Sequence, residues 1–361
     1  MADFQVSRAD LRRCRVVPMP EPGQVTLPDG TILVGIDAFA FTANNVTYGV
    51  AGDLMSYWQF FPAEPGWGRI PVGGFGRVLR SGHADVAVGE RLFGYFPMAS
   101  HTVLQIAGAG PETLIEGSPH RRGLPVFYNQ YVRTAQDPLY APETEDRQML
   151  LRPLFATAFL LDDFLAESSL FGARAVVLTS ASSKTAMALA HLLSHNQRAA
   201  GGVIGLTSTR NRAFVEGLHC YDRVVTYDAL ASLPADLPVV TVDMAGDGEL
   251  LARLHRHFGA SLRYSCLVGI THWERMDRPA DLPGPTPVLF FAPEQARKRA
   301  EALGPDALSR RLAAAWQRFL DASASWIRVV HGTGPEAVER VYRLVLEGKA
   351  DPALGYVLSM R

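Results

Sequence analysis

Cysteine is scarce in this chain, and neither sign of charge is in excess. The 361 residues include three cysteines, Cys14, Cys220 and Cys266, which lie far apart and match no metal-ligand spacing. A disulfide-rich secreted domain and a four-cysteine zinc lobe are therefore not expected, and a reducing compartment is. Lysine and arginine number 35 against 36 acidic residues. No basic excess points to nucleic acid or to an anionic membrane surface.

Long apolar runs are also missing. No stretch approaches the roughly 18 uninterrupted apolar residues of a transmembrane helix, and the first residues lack the apolar core of a signal peptide. Hydrophobic residues make up 48% of the chain and charged residues 20%, as in ordinary globular proteins. The length allows two domains, each with its own core. We expect a cytoplasmic protein with a small-molecule partner, no membrane and no nucleic acid.

The first 110 residues or so are rich in glycine, proline and β-branched residues, a composition that favours short strands. Strand-like patterns cover 31–38, 76–82 and 91–96. They predict an all-β barrel with irregular connections. Residues 108–150 are loop-rich, but their segment 126–132 is too apolar for a free linker, so we expect a packed insertion or a lid.

From about residue 150 onwards, apolar strand runs alternate with amphipathic helices. The predicted strands cover 174–179, 202–207, 223–225, 238–243 and 263–269, and the helices 156–169, 184–194, 210–217 and 247–258. Apolar strands separated by helices predict an α/β fold, with a parallel sheet covered on both faces. The tail predicts helices near 294–325 and 335–347, with strands near 326–331 and 355–360.

Glycine is missing where a nucleotide-binding turn would need it. Residues 175–190 read as a buried strand, a tight loop and a helix, the arrangement that holds a pyrophosphate. Small residues stand in place of the G-x-G-x-x-G glycines: Ser180, Ala181, Ser182 and Ser183. Their hydroxyls can donate to phosphate, and Lys184 and Thr185 add a charge and another donor. We favour a working phosphate loop; a Rossmann domain that has lost nucleotide binding is the alternative.

The end of the second strand of this predicted sheet favours one cofactor. NAD-selective sites place an acidic residue there to bind the ribose hydroxyls, and 206–212 contains none. Donors and positive charge stand there instead: Ser208, Thr209, Arg210 and Arg212. They suit the 2′-phosphate of NADPH, unless the two arginines only solvate a helix start. Tyr227, after the next strand, is either an adenine-side contact or a packing tyrosine.

Six fragments, in order along nearly the whole chain, resemble conserved segments of the medium-chain dehydrogenase/reductase superfamily. They are Val88–Gly94, Arg152–Ala158, Ala175–Ala190, Val239–Gly246, Leu267–Gly269 and Leu346–Leu358. The chain resembles the zinc-free quinone-oxidoreductase and enoyl-reductase branches, and within them a divergent branch. The resemblance places Gly269 near the nicotinamide of the cofactor.

The resemblance also implies a domain layout. A GroES-like catalytic domain would comprise 1–150, with the insertion 108–150, and would be completed by 290–361. A Rossmann domain would comprise 151–289, with the active site in the cleft between the two domains. A homodimer would form by continuing the Rossmann sheet near 263–270.

The zinc ligands of the metal-dependent relatives have no counterpart here. Phe41–Val46 and Pro71–Gly76 occupy the corresponding stretches and contain neither cysteine nor histidine. Asp162 and Asp163 are adjacent on a predicted helix, so their side chains point in different directions and a shared acid/base site is not expected. The sequence therefore predicts catalysis without a metal.

Reduction without a metal needs a hydrogen-bond donor to polarise a carbonyl. Zinc-free relatives often use an asparagine or tyrosine of the β domain, and the candidates here are Asn45, Tyr48 and Tyr57. The alternative is that the two tyrosines line the cleft or belong to the core. Tyr128 and Tyr131 of the insertion are expected to pack.

The function that we expect is zinc-independent, NADPH-dependent reduction of an apolar α,β-unsaturated carbonyl, quinone or ketone. Two alternatives stay open. The same fold could act as a lyase or isomerase on a CoA or phosphorylated ligand, or it could be a non-catalytic binding protein with a relict Rossmann domain.

Overall fold

Residues 1–150 and 328–361 form one unit of the fold, and residues 151–327 form a second. The computed structural model describes residues 1–269 and 281–361. The sequence had assigned 290–327 to the first domain, whereas the structure places 290–327 in the second unit. The physical reason is aromatic packing: Trp316 and Phe319 lie 5.3 and 5.0 Å from Phe155, ring centre to ring centre.

The first unit is mainly antiparallel β structure. Its strands are β1 (Ala2–Ser7), β2 (Cys14–Pro18), β3 (Thr31–Phe41), β4 (Trp67–Gly68), β5 (Val72–Ser81), β6 (Arg91–Phe96), β7 (His101–Ala109), β8 (Thr113–Glu116), β9 (Gln130–Arg133), β16 (Arg328–Thr333) and β17 (Leu354–Ser359). The large sheet runs β16-β17-β3-β5-β6-β9-β8-β7, and β7 also pairs with β3. Six strands therefore close into the barrel that the sequence predicted.

The insertion at 108–150 is part of this barrel. It contributes β8 and β9, which pair with each other and with β7 and β6. Tyr128 and Tyr131 are buried, while Val126 and Phe127 remain exposed. Of the two expectations for residues 108–150, a packed insertion or a lid, the structure shows the packed insertion.

Two helices belong to this unit, α1 (Ala43–Val50) and α8 (Pro335–Leu346), and a third, α2 (Glu145–Glu167), begins in it and continues into the second unit. The sequence predicted that α2 would begin near residue 156, which is wrong, because the helix already begins at Glu145. Pro153 lies inside it and interrupts one backbone hydrogen bond, at a cost of about 3 kcal/mol. Burial of Met149 and Leu154, among other apolar side chains, offsets that cost.

The second unit is a parallel sheet with helices. Its strands are β10 (Ala175–Leu178), β11 (Val203–Thr207), β12 (Arg223–Thr226), β13 (Val239–Asp243), β14 (Leu262–Leu267) and β15 (Val288–Leu289). Its own helices are α3 (Lys184–His195), α4 (Arg212–Glu216), α5 (Gly248–Phe258), α6 (Ala292–Leu303) and α7 (Pro305–Ser323). Every pairing is parallel, in the order β12-β11-β10-β13-β14-β15. This confirms the predicted α/β class, and β10 lies where the strand order reverses.

The adjacent carboxylates of α2 do point in different directions. Asp162 accepts hydrogen bonds from Asn196 (2.9 Å) and Arg198 (3.2 Å). Asp163 faces Arg299, at 2.6 Å, and Arg311, at 3.3 Å. Each buried carboxylate is thus held by its own cations and serves the packing of the second unit. Over the part of the chain that the structure describes, no helix is long and apolar enough to cross a membrane.

Candidate nucleotide site and tyrosine cluster

The ends of β10 and β13 are joined by a buried hydrogen bond. The Thr179 hydroxyl donates to Asp243 Oδ1 over 2.5 Å, and its oxygen accepts from the backbone N–H groups of Met244 and Ala245. Both side chains are almost fully buried. In open parallel sheets, ligands bind outside the carboxyl ends of the strands, where the strand order reverses. This pair marks that point in the second unit.

The serine loop begins directly after Thr179. Ser180 has a φ of +45°, in the left-handed region that glycine favours. The Ser183 oxygen caps α3 by accepting from the N–H of Ala186 (3.3 Å), and the Ser182 oxygen accepts from the Asn211 amide (3.0 Å). Because these two oxygens accept within the loop, their hydroxyl hydrogens are left to donate. Lys184 and Thr185 follow in the first turn of α3, as expected from the sequence, and are half-buried.

Tyr227 lies against this loop. Its hydroxyl accepts from the Ser180 N–H (3.2 Å) and is 3.5 Å from the Ser180 Oγ. Arg253 donates to the Tyr227 carbonyl over 2.6 Å and so fixes its backbone. Burial raises the pKa of Tyr227, so its hydroxyl is neutral and can both accept and donate. The structure therefore brings Tyr227 and Ser180 together.

Tyr221 is a loop contact that sequence reasoning missed. Its hydroxyl donates to the Ala181 carbonyl over 2.8 Å. A β-carbon at Gly205 of β11 would lie 2.9 Å from the Tyr221 ring and 3.0 Å from the Ala181 side chain. Gly205 thus supplies the close approach that the loop itself lacks. The glycine inside an otherwise apolar strand was the available signal, since it often marks a close backbone contact.

The end of β11 carries the predicted donors. Ser208 precedes a short 3₁₀ turn, and Arg210 is exposed within that turn. Arg212 forms an ion pair with Glu216 one helical turn further on, at 2.8 Å. Asn211 reaches back to Ser182, so the strand end and the serine loop share a hydrogen bond. Arg210 lies closer along the chain to the end of β11 than Arg212 does, which makes it the first candidate for a phosphate contact.

Gly269 also lies at this edge of the sheet. Its N–H donates to the Asp243 carbonyl over 3.3 Å. A β-carbon at this position would lie 2.5 Å from the Met244 carbonyl oxygen, so glycine is required. The structure therefore brings Gly269 to the switch point, whereas Tyr48, Asn45 and Tyr57 belong to the first unit.

Four tyrosines gather in the first unit. The hydroxyls of Tyr48 and Tyr95 are 3.0 Å apart, and those of Tyr57 and Tyr128 are 3.5 Å apart. The rings of Tyr48 and Tyr57 meet edge to face at 4.9 Å, and Phe60 packs against all four tyrosines. We call these four residues the tyrosine cluster. Sequence reasoning had named Tyr48 and Tyr57 together but had missed Tyr95.

The hydroxyls of the cluster are neutral donors. Burial raises the pKa of Tyr48 to about 12, against an ordinary value of 10.0. Burial likewise raises the pKa values of Tyr57, Tyr95 and Tyr128. Either hydroxyl of the Tyr48–Tyr95 pair can be the donor, and hydrogen bonding with Tyr95 and Asn44 lowers the pKa of Tyr48 against the larger effect of burial. When Tyr95 donates to it, Tyr48 has its own hydrogen to offer.

Asn45 starts a helix in the structure. Its side-chain oxygen accepts from the backbone N–H of Thr42 (2.8 Å), which forms a capping box at the start of α1. Its amide donates to the Pro71 carbonyl over 3.0 Å. These bonds fix the first turn of the helix that carries Tyr48.

Metal ligands do not gather in the described chain. Between residues 1 and 269, and between 281 and 361, no three His, Cys, Asp or Glu side chains lie together in a way that could hold a metal ion.

The sequence matches one protein family. The family described as protein of unknown function (DUF2855) matches residues 39–351, most of the chain. The chain belongs to the DUF2855 family. No curated protein matches this DUF2855 sequence.

Solved structures similar to this DUF2855 protein match it over nearly its whole length. The yhdH oxidoreductase of Salmonella enterica, in complex with NADP, is 14% identical with a TM-score of 0.56, and the match covers 100% of each chain. CurA of Vibrio vulnificus, in complex with NADPH, is 13% identical with a TM-score of 0.61, over 100% of this chain and 99% of the other. The quinone oxidoreductase of Coxiella burnetii is 14% identical with a TM-score of 0.52, over 100% and 99%. These matches confirm, at the level of the fold, the resemblance seen in the sequence.

The left-handed backbone of Ser180 predicts that glycine at this position would make the protein more stable. A residue with a β-carbon in the left-handed region costs about 1 kcal/mol relative to glycine. Ser180→Gly should therefore raise the free energy of unfolding by about 0.5–1 kcal/mol in urea denaturation. Ser182→Gly is the matched control and should lower it, since Ser182 is not among the positive-φ residues of the described chain. A less stable Ser180→Gly variant would show that the loop backbone is unstrained.

Proposed function

We propose that this protein is a zinc-independent, NADPH-dependent oxidoreductase that reduces an apolar α,β-unsaturated carbonyl, quinone or ketone. The observation that carries the proposal is the group of donors at one edge of the parallel sheet. The serine loop, the first turn of α3 and Arg210 all follow β10 or β11. The bound NADP and NADPH of the Salmonella and Vibrio proteins support the same cofactor for this fold.

The residues present fit a dinucleotide phosphate. The hydroxyls of Ser182 and Ser183 have hydrogens to donate, and Lys184 lies in the first turn of a twelve-residue helix. A helix N-terminus favours an anion through its dipole and its unpaired N–H groups. The Tyr227 hydroxyl, which accepts from the Ser180 N–H, can turn its own hydrogen towards a phosphate oxygen. These groups would hold the pyrophosphate.

The preference for NADPH rests on the end of β11. Ser208 and Arg210 would bind the 2′-phosphate there, and no carboxylate stands between 206 and 212 to bind a free ribose hydroxyl. A guanidinium matches a phosphate in both charge and geometry. The nicotinamide end of the cofactor would lie near Gly269, as the family resemblance implies.

The first unit would supply the donor for reduction. When bound, NADPH supplies a hydride. We propose that the neutral Tyr48 hydroxyl donates to the substrate carbonyl oxygen and stabilises the negative charge that develops there. In this proposal the Tyr95 hydroxyl, 3.0 Å away, donates to the Tyr48 oxygen and so leaves the Tyr48 hydrogen for the substrate. Tyr48 is buried against the rings of Tyr57 and Tyr95. A proton that enters through Tyr48 completes the two-electron reduction, with Tyr57 as a second candidate donor.

Zinc independence and a cytoplasmic location remain predictions within this proposal. The zinc-ligand stretches Phe41–Val46 and Pro71–Gly76 contain no cysteine or histidine. The three cysteines are all unpaired, as is usual in a reducing compartment.

We also propose a homodimer, but with its interface at a different strand of the parallel sheet. The sequence had placed the interface near 263–270, of which residue 270 lies outside the described residues. β15 pairs with β14 at Cys266 and Leu267, so β14 is not the edge of the sheet. Val288 and Leu289 of β15 are both exposed, and we propose that this strand meets its copy. Sedimentation velocity should show a dimer that Val288→Lys converts to a monomer; a monomeric parent protein would contradict the assembly.

The role of Arg210 can be tested by cofactor titration. Arg210→Ala removes one charged phosphate contact, so the Kd for NADPH should rise about tenfold or more, while that for NADH stays within about twofold. Arg212→Ala, whose arginine is paired with Glu216, is the control and should change neither Kd by more than about threefold. Saturable NADPH binding that Arg210→Ala leaves unchanged would remove the basis for the NADPH preference.

The role of Tyr48 can be tested by turnover of a water-soluble quinone and a 2-alkenal. Tyr48→Phe should lower kcat about tenfold to a hundredfold and leave the Kd for NADPH unchanged. Tyr342→Phe, which removes a buried hydroxyl bound to the Leu11 carbonyl in the same unit, is the matched control. Because the pKa of Tyr48 is raised to about 12, the donor stays protonated, and the advantage over Tyr48→Phe should persist from about pH 7 to about pH 10. If the parent protein loses its advantage over Tyr48→Phe as the pH rises from about 7 to about 9, a group with a lower pKa than Tyr48 is the donor.

A further inference from the structure

Arg121 is a buried cation in the insertion of the first unit. It is 1% exposed and faces Glu116, which is 2% exposed, with 3.4 Å between the nearest nitrogen and oxygen. A buried ion pair is seldom more stable than a well-packed apolar pair, because both charges must leave water. Stability alone therefore does not account for an arginine here, and the contacts of its guanidinium give another reason.

The guanidinium donates to two residues that lie next to the tyrosine cluster. Arg121 Nε donates to the Phe60 carbonyl over 2.9 Å, and Nη2 donates to the Tyr131 hydroxyl over 3.3 Å. Its Cζ atom lies 4.5 Å from the centre of the Phe61 ring. A planar group with fixed donor directions can set the positions of two acceptors at once.

Tyr131 transmits the second contact to the cluster. Its hydroxyl donates to the Tyr95 carbonyl over 2.6 Å. The ring of Tyr131 lies where a β-carbon at position 94 would come within 2.5 Å of it, so Gly94 makes room for this contact. The side chain of Tyr95 then meets the Tyr48 hydroxyl at 3.0 Å. A continuous path of contacts thus runs from Arg121 to Tyr48.

Phe60 provides a second path. Its ring lies 5.2 Å from Tyr128, 5.5 Å from Tyr95 and 6.4 Å from Tyr48. Arg121 holds the carbonyl of this same residue. Arg121 therefore contacts Phe60 directly and Tyr95 through Tyr131, and both Phe60 and Tyr95 pack against Tyr48.

We propose that Arg121 is a positioning residue: paired with Glu116, it sets the orientation of the Tyr48 hydroxyl through Tyr131, Tyr95 and Phe60. The insertion is then a part of the reductive site and not only of the barrel wall. This inference rests on the proposed function, because it takes Tyr48 to be the donor to the substrate.

Variants of both ends of the path test the proposal. Arg121→Met and the milder Tyr131→Phe should each lower kcat for the quinone at least fivefold and leave the Kd for NADPH unchanged. In a Tyr48→Phe background, the same substitutions should leave kcat unchanged, because the group that they position is gone. A role in stability alone would lower activity equally in both backgrounds and would overturn the proposal.

Arg133→Met is the matched control for loss of a cation from the insertion. Arg133 pairs with Glu90 at 3.2 Å and donates to the Asp85 carbonyl, and both of these partners lie outside the tyrosine cluster. It should keep the parental kcat. If Arg121→Met does not fold, Tyr131→Phe decides, since it removes a single oxygen atom; a folded Tyr131→Phe with parental kcat would overturn the proposal.

A readout without turnover separates this inference from the proposed function. In protein labelled with ¹³C-tyrosine, the NMR signal of Tyr48, assigned from its loss in Tyr48→Phe, should shift in Tyr131→Phe and stay in place in Arg133→Met. An unshifted signal in folded Tyr131→Phe would overturn the positioning role. A shifted signal in a protein that reduces neither quinone nor alkenal would support the positioning and reject the proposed function.

Discussion

The hydrogen bond between Thr179 and Asp243 joins the carboxyl ends of β10 and β13, and the candidate nucleotide site of the second unit is arranged around it. A carboxylate buried in a sheet needs donors, and here it takes one hydroxyl and the N–H groups of Ala245 and Gly246. The same bond joins the two strands on either side of the reversal in strand order. The serine loop starts at the next residue after Thr179, and Gly269 donates to the backbone of Asp243. Were this carboxylate paired with an arginine instead, the added bulk would lie where a ligand of a parallel sheet binds.

The replaced glycines are compensated around the loop and not within it. Glycine gives a nucleotide loop two properties, a left-handed backbone and closeness to the strand below it. Ser180 adopts the left-handed backbone with a side chain present. Closeness comes from the neighbouring strand, where Gly205 admits Ala181 and the ring of Tyr221. The loop is therefore shaped from outside, by residues that a search for glycines at 180–183 does not find.

The sequence predicts features that depend on neighbouring residues, and it does not predict features that depend on residues far apart along the chain. The strands β10 and β13 could be predicted because every residue in them is buried, which leaves continuous apolar runs. The start of α2 could not, because Pro153 indicates a helix boundary, and the burial that overrides it is tertiary. Tyr95 and Arg121 were missed for a related reason. The partners of Tyr95 are 47 residues away at Tyr48 and 36 residues away at Tyr131, and no local period records such distances.

The serine loop and the tyrosine cluster lie in different units, but their hydroxyl groups are oriented in the same way. In each, a hydroxyl oxygen lies within hydrogen-bond distance of another group of the protein: Ser182 of Asn211, Ser183 of the first turn of α3, and Tyr48 of Tyr95. A hydroxyl has one hydrogen and two lone pairs, so occupying the oxygen restricts where that hydrogen can point. Donors whose direction is fixed before the ligand arrives need little reorganisation when charge develops on it. The serine hydroxyls of the loop and the hydroxyl of Tyr48 can in this way present neutral donors in restricted directions.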